Sequence, residues 1–245
     1  MERSEYERLR EQEVSYWWHV GRRDIIRSLL ERHVPRDATR VGVDLGCGTG
    51  SHFELLAPWG RFVGTEVTSE LYGVGDPPGR PVCLARGEAL PFADASVGLC
   101  TLFDVLEHIE SEDAALTEIR RVLRPQGLVL LSVPAYMFLW SSHDESLHHY
   151  RRYVARTLRD ALERNGLEVI RLTYAMASIL PPVALVRWAT RNRQGTADAQ
   201  ASYVPTPEPF HSMLTGLLGL EARWLRVGNF PFGTSLFALA RKVDA

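Results

Sequence analysis

The chain has 245 residues, 45 % of them hydrophobic, and a net charge of −2. That is enough apolar material for one α/β domain with elaborations, and the charge balance excludes a strong nucleic-acid footprint. Cys47, Cys83 and Cys100 form no CxxC pair and read as reduced thiols. The charged opening segment gives no sign of a signal peptide, and no apolar run reaches the ~18 residues that a membrane span needs, so a cytoplasmic location is expected.

Residues 4–33 are expected to be helical, with apolar Ile25, Ile26, Leu29 and Leu30, a pause near Gly21, and a stop at Pro35. Strands then alternate with helices. The expected strands are Val41–Leu45, Phe62–Glu66, Val82–Ala85, Val97–Phe103, Leu128–Val133, Leu167–Tyr174 and Ser235–Arg241. A short helix follows the first strand around Ser51–Leu56. A second runs from Ser111, its expected cap, to Leu123, and the segment 124–127 then breaks the chain. A third covers Arg156–Asn165 and stops at Gly166. The pattern predicts a parallel sheet with helices on both faces. Residues 175–233 depart from it: Ile179–Trp188 is apolar with a double proline, 192–209 reads as a loop, and Phe210–Val227 reads as helix. The halves also differ in charge, −6 over residues 1–125 and +4 over 126–245.

The segment 41–50 reads Val-Gly-Val-Asp-Leu-Gly-Cys-Gly-Thr-Gly. A strand ending in Asp44, a turn at Gly46, Gly48 and Gly50, and a following helix bring bare backbone close to a ligand. A carboxylate two residues before the first glycine opposes a pyrophosphate and favours a cationic ligand. Glu66 ends the next strand, where a carboxylate can accept both hydrogen bonds of a ribose diol. Asp44, Glu66, Glu88 and Asp104 all fall at or just after expected strand carboxyl ends, where ligands bind in such sheets.

Val43–Gly50, Glu66, Glu88-Ala-Leu-Pro-Phe92, Phe103-Asp-Val-Leu-Glu-His108 and Leu123-Arg-Pro-Gln-Gly127 together resemble the class I S-adenosylmethionine-dependent methyltransferases. The resemblance implies a Rossmann-like seven-stranded, mostly parallel sheet with helices on both faces, its last strand antiparallel and inserted between strands five and six. It implies S-adenosyl-L-methionine as cofactor. Asp44, Gly46, Cys47, Gly48 and Gly50 would cradle the methionine part, and Glu66 with Val67 the ribose. Gly87, Glu88 and Ala89 would flank the adenine, and Phe103 and Asp104 would line the methyl-transfer face. Many relatives have Asp where Arg86 stands, so Glu88 or backbone groups would meet the adenine amino group. Relatives that begin with paired tryptophans use that helix as a lid, which makes residues 1–35, with Trp17 and Trp18, a lid and Arg22 a partner for the methionine carboxylate.

Asp104, Glu107 and His108 have i, i+3, i+4 spacing and would share a face if helical. The motif is similar to that of the ubiquinone-pathway O-methyltransferases, in which acids and a histidine hold a divalent ion. A helix-start cluster is the plainer reading, and no metal is assigned. His143 and His149, with His108, are the candidate bases, because histidine titrates near neutrality. Tyr150 and Tyr153 are expected to shape the acceptor side. A solvated loop is the alternative for this segment.

The whole chain is expected to be one methyltransferase domain, acting by O- or N-methylation on a small-molecule or lipid-like acceptor. The insertion 175–233 is open between an acceptor lid, a dimer surface, a shallow membrane contact and a helix covering the sheet edge. The oligomeric state is open as well. The rival readings are a non-catalytic S-adenosylmethionine-binding or scaffolding protein and an NAD-dependent oxidoreductase, whose fingerprint has no call for Asp44.

Overall fold

Val41–Leu45 (β1) sits near the middle of a seven-stranded sheet whose strand order is β3-β2-β1-β4-β5-β7-β6. The other strands are Arg61–Glu66 (β2), Val82–Leu84 (β3), Val97–Phe103 (β4), Leu123–Pro134 (β5), Leu167–Ala175 (β6) and Ser235–Lys242 (β7). The computed structural model describes residues 13–68, 81–190 and 206–243. β1 pairs in parallel with β2 and β4, and β4 with β5. β7 runs antiparallel between β5 and β6. All seven expected strands form, and the last takes the inserted antiparallel place.

The helices are Trp17–His33 (α1), Phe53–Leu56 (α2), Glu112–Val122 (α3), Ser142–Ser146 (α4), Ala155–Arg164 (α5), Leu180–Thr190 (α6) and Phe210–Trp224 (α7). One core lies between the sheet and α3 and α5. In it Leu116, Ile119, Leu158 and Leu162 are fully buried against β4, β5 and β7. Each such side chain contributes roughly 1.5–3 kcal/mol of burial. The second core lies on the opposite face, where Ile25, Ile26 and Leu30 of α1 meet Leu218 and Ala222 of α7 and Phe237 of β7.

Several local expectations change. Helix α1 runs unbroken through Gly21, and the interruption falls at Tyr16 instead, whose backbone is extended. Gly21 is there for packing: a Cβ on it would sit 2.3 Å from Leu218 Cδ1. Residues 4–12 of the expected helix lie outside the described residues, as does most of the loop 192–209. Ser111 makes no side-chain cap on α3. The expected break at 124–127 is absorbed into β5, because Leu123 already pairs with Val97 before the register shifts. Among the described residues no helix is long and apolar enough to cross a membrane.

Candidate active site

The parallel strands deliver their carboxyl ends to one edge of the sheet, and the expected site residues gather there. Asp44 is the fourth residue of β1 and only 1 % exposed. Its Oδ1 accepts from the Thr101 hydroxyl at 2.6 Å, while Oδ2 is buried with no partner among the described residues. Burial pushes this carboxyl up to about 7, against the opposing hydrogen bond from Thr101. An orphaned carboxylate oxygen at a strand tip is costly unless a ligand donor or cation reaches it.

Beyond Asp44 the chain turns back on itself. Gly46, Gly48 and Gly50 all have positive φ, at 65°, 56° and 75°, which side chains with a Cβ rarely adopt. A Cβ on Gly48 would meet nothing within 4 Å, so its bare backbone faces open space. Cys47 is buried beneath the turn against Gly64. Glu66 closes the loop from β2: Oε1 accepts from Gly48 N at 2.6 Å and Oε2 from Val67 N at 3.2 Å. The carboxylate thus holds the turn, and Val67 is exposed beside it. Gly87 is buried, where a Cβ would strike Ile109, while Ala89 bridges back to Arg86.

Next to this edge lies a cavity of about 590 Å³, lined by Arg22, Phe103, Asp104, Glu107 and the histidines His108, His143 and His149 among others. Arg22 enters it from α1. One terminal nitrogen lies 3.0 Å from Asp104 Oδ2, the guanidinium stands 5.0 Å over the Trp18 ring, and Nε has no partner among the described residues. Glu13, just ahead of α1, accepts a hydrogen bond from the Thr49 hydroxyl, which lays this segment over the glycine turn.

The motif after β4 is not a helical face. Asp104 has φ of 54°, and only Leu106–His108 form a single 3-10 turn. Asp104 therefore parts from Glu107 and His108. Asp104 turns to Arg22 and to the Ser132 hydroxyl at 2.9 Å. Glu107 points inward and is fully buried. His108 Nδ1 lies 2.9 Å from the Leu147 carbonyl. Burial, strengthened by Asp104, holds the Glu107 carboxyl well above the usual carboxylate range.

Opposite, α4 supplies Asp144, which is fully buried. Its Oδ1 lies 2.9 Å from His149 Nδ1 and 2.7 Å from Arg152 Nε. Burial alone would raise its carboxyl, but the bonds from His149 and Arg152 outweigh that and hold it well below the usual range. An ionised acceptor on Nδ1 fixes the proton there and leaves His149 Nε2 with a free lone pair. Burial also lowers His108 and His143, so both favour the neutral form.

All three expected histidines thus reach one cavity, and Asp44, the turn and Glu66 stand at the neighbouring strand tips. Tyr150 and Tyr153 do not line the cavity: Tyr150 is half-exposed, and the Tyr153 hydroxyl is buried against Glu112 at 2.7 Å. Sequence reasoning missed Asp144, Arg152 and the two cavity residues of α6, Val183 and Arg187. Asp144 lies one residue from His143, and its separation of five from His149 matches no helical face. Only the fold of the 141–153 segment reveals the pair.

Residues 43–131 match the model of a methyltransferase domain. An uncharacterized methyltransferase of Mycobacterium tuberculosis is 34 % identical over 138 residues, 53 % of this chain and 54 % of that protein. The chain spans about half the length of the curated relatives it matches. A chain from the complex between the Haloferax volcanii Trm112 methyltransferase activator and a methyltransferase is similar in fold, with a TM-score of 0.63 at 19 % identity, covering 99 % of this chain and 96 % of that one. Haemonchus contortus phosphoethanolamine N-methyltransferase 2, solved in complex with S-adenosyl-L-methionine, gives a TM-score of 0.59 at 16 % identity over 90 % of this chain and 52 % of that one. The matched segment begins at β1 and ends within β5, so it contains the glycine turn, Glu66 and the motif after β4. On that agreement of segment, topology and turn, residues 43–131 are similar to the methyltransferase domain of the class I S-adenosylmethionine-dependent enzymes.

Proposed function

We propose that this protein transfers a methyl group from S-adenosyl-L-methionine to a small-molecule or lipid-like acceptor, at oxygen or nitrogen. The observation that carries the reading is the orphaned Oδ2 of Asp44, buried at the strand tip beside a turn of three left-handed glycines. It suits the amino group of a methionine moiety, and the unpaired Nε of Arg22 suits the carboxylate. Glu66 and Val67 would take the ribose, and Gly87, Glu88 and Ala89 the adenine edge. The cofactor, when bound, supplies an electrophilic methyl on a sulfonium.

The protein's own part is alignment and proton removal. His149, its Nδ1 held by Asp144, is the base with its lone pair turned out. His143 and His108 border the same space. Helix α1, with its tryptophans, and the Glu13–Thr49 contact support a lid over the cofactor. Ile179, Val183 and Arg187 support a role for the 175–233 segment in covering the acceptor. The exposed Leu185 and Trp188 on α6 suit a lipid-like acceptor at a membrane surface.

The test is incorporation of labelled methyl from S-adenosylmethionine into fractionated cell extract. Label is expected in a small-molecule or lipid fraction, and it falls when His149 is replaced by Ala. Binding of the nucleoside without any labelled product contradicts catalysis and favours a scaffold.

A further inference from the structure

Glu107 is the most anomalous polar group in the described part of the molecule. It is fully buried, and neither carboxylate oxygen has a partner among the described residues. One ligand-capable atom from each of Glu107, His108 and His149 lies within 4.8 Å of the others. Both histidines spend Nδ1 on acceptors, the Leu147 carbonyl and the Asp144 carboxylate, so both Nδ1 atoms carry the proton and both Nε2 atoms are acceptors. Of the arginines that line the cavity, Arg22 pairs with Asp104 and Arg152 with Asp144, while Arg187 enters from α6. Glu107, His108 and His149 therefore meet in one cavity, and no described side chain satisfies the Glu107 carboxyl.

A buried, unpartnered carboxyl between two neutral imidazoles becomes a full acceptor when a cation reaches it, so the cluster suits a ligand that is all donor and positively charged. We infer that Glu107, His108 and His149 form a subsite for the ammonium group of the methyl acceptor, which makes the acceptor a primary or secondary amine. The inference rests on the methyltransferase reading and narrows it to nitrogen. A primary ammonium presents three N–H groups, one for each acceptor. Hydrogen bonds of about 2.8 Å to a tetrahedral nitrogen set acceptors about 4.6 Å apart, in keeping with the spread here. The aromatic rings of Tyr16, Trp17 and Trp18 line the same cavity and suit an organic cation better than a hydrated metal ion.

The site also gives the proton a path. The ammonium yields one proton to His149 Nε2; the neutral amine, still held by Glu107 and His108, then turns its freed lone pair away from His149 to the cofactor's methyl and forms the N–C bond. The S–C bonding pair returns to sulfur, giving the neutral thioether and an N-methylated ammonium, and His149 passes its proton to solvent.

The experiment is a calorimetric titration of the protein with n-butylammonium and with n-butanol, run with and without S-adenosylhomocysteine, with bound divalent metals counted by mass spectrometry. Butylammonium is expected to bind and butanol not to. Glu107→Gln, an isostere at a site with no partner to lose, should weaken the ammonium by about tenfold or more while leaving nucleoside affinity unchanged. His108→Gln gives a second reading of the same loss. Equal ammonium binding by wild type and both variants overturns the subsite, as does no ammonium binding by the nucleoside-loaded protein. A stoichiometric divalent ion lost on Glu107→Gln overturns it in favour of a metal. Absence of nucleoside binding is a separate result, which contradicts the methyltransferase reading itself.

Discussion

Asp144 holds both His149 and Arg152: Oδ1 lies 2.9 Å from His149 Nδ1, and Oδ2 lies 3.1 Å from a terminal nitrogen of Arg152. All three groups are nearly or fully buried. Asp144→Asn should lower stability by about 3–5 kcal/mol, because it leaves Arg152 buried without its counter-charge. The same change should slow methyl transfer by about 10²-fold through loss of the oriented base. Affinity for S-adenosylhomocysteine should not change. Chemical denaturation and calorimetry on one preparation check all three.

The two buried aspartates pull stability in opposite directions with pH. The carboxyl of Asp144 is depressed in the fold, so the stability it lends is present above its ordinary value of 3.8 and is lost as acid takes the pH below that. Asp44 is raised from 3.8 to about 7, so its contribution is complete below 3.8 and is lost as pH rises through about 7. Asp44→Asn should therefore raise the thermal midpoint of the free protein at pH 8 and change it little at pH 4.

Ligand binding should show the reverse trend at Asp44. The carboxylate form is the one that attracts a protonated amino group, so affinity for S-adenosylhomocysteine should rise from pH 6 to pH 8. The slope should flatten in Asp44→Asn. A wild-type affinity independent of pH over that range contradicts the assignment.

Alanine at the glycine turn separates backbone strain from crowding. Gly48→Ala forces a left-handed residue into open space and should cost about 1–2 kcal/mol. Gly46→Ala carries the same strain, and its Cβ would lie 2.6 Å from Val105 Cγ2, so it should cost measurably more. Urea midpoints of the two variants rank them.

Gly21→Ala sets helix propensity against packing. Alanine gains about 1 kcal/mol over glycine in a helix interior. Its Cβ would lie 2.3 Å from Cδ1 and 2.5 Å from Cβ of the fully buried Leu218, a clash of about 1–3 kcal/mol. The clash should win, and the thermal midpoint should fall.

The sheet was legible because its signals are local. Leu128–Val133 is apolar on both faces, and Asp44 and the glycines mark a strand end that needs positive φ. The cofactor edge followed, since carboxyl ends of parallel strands share one side. The acceptor side was legible only in its parts. Asp104, Glu107 and His108 have helical spacing, yet the left-handed backbone at Asp104 sends it away from the other two, and no residue type announces that turn. Asp144 meets His149 through a short helix and a loop, not through a periodic face. The packing role of Gly21 depends on Leu218, almost 200 residues away in the chain, and no local pattern encodes it.

The measurement closest to the central claim is a calorimetric titration with S-adenosylhomocysteine and, separately, with NADH. Micromolar binding of the first and none of the second is predicted, with Asp44→Ala and Glu66→Ala each weakening it by about 1–3 kcal/mol. Heat from NADH alone, or affinity for S-adenosylhomocysteine untouched by both substitutions, would contradict the account.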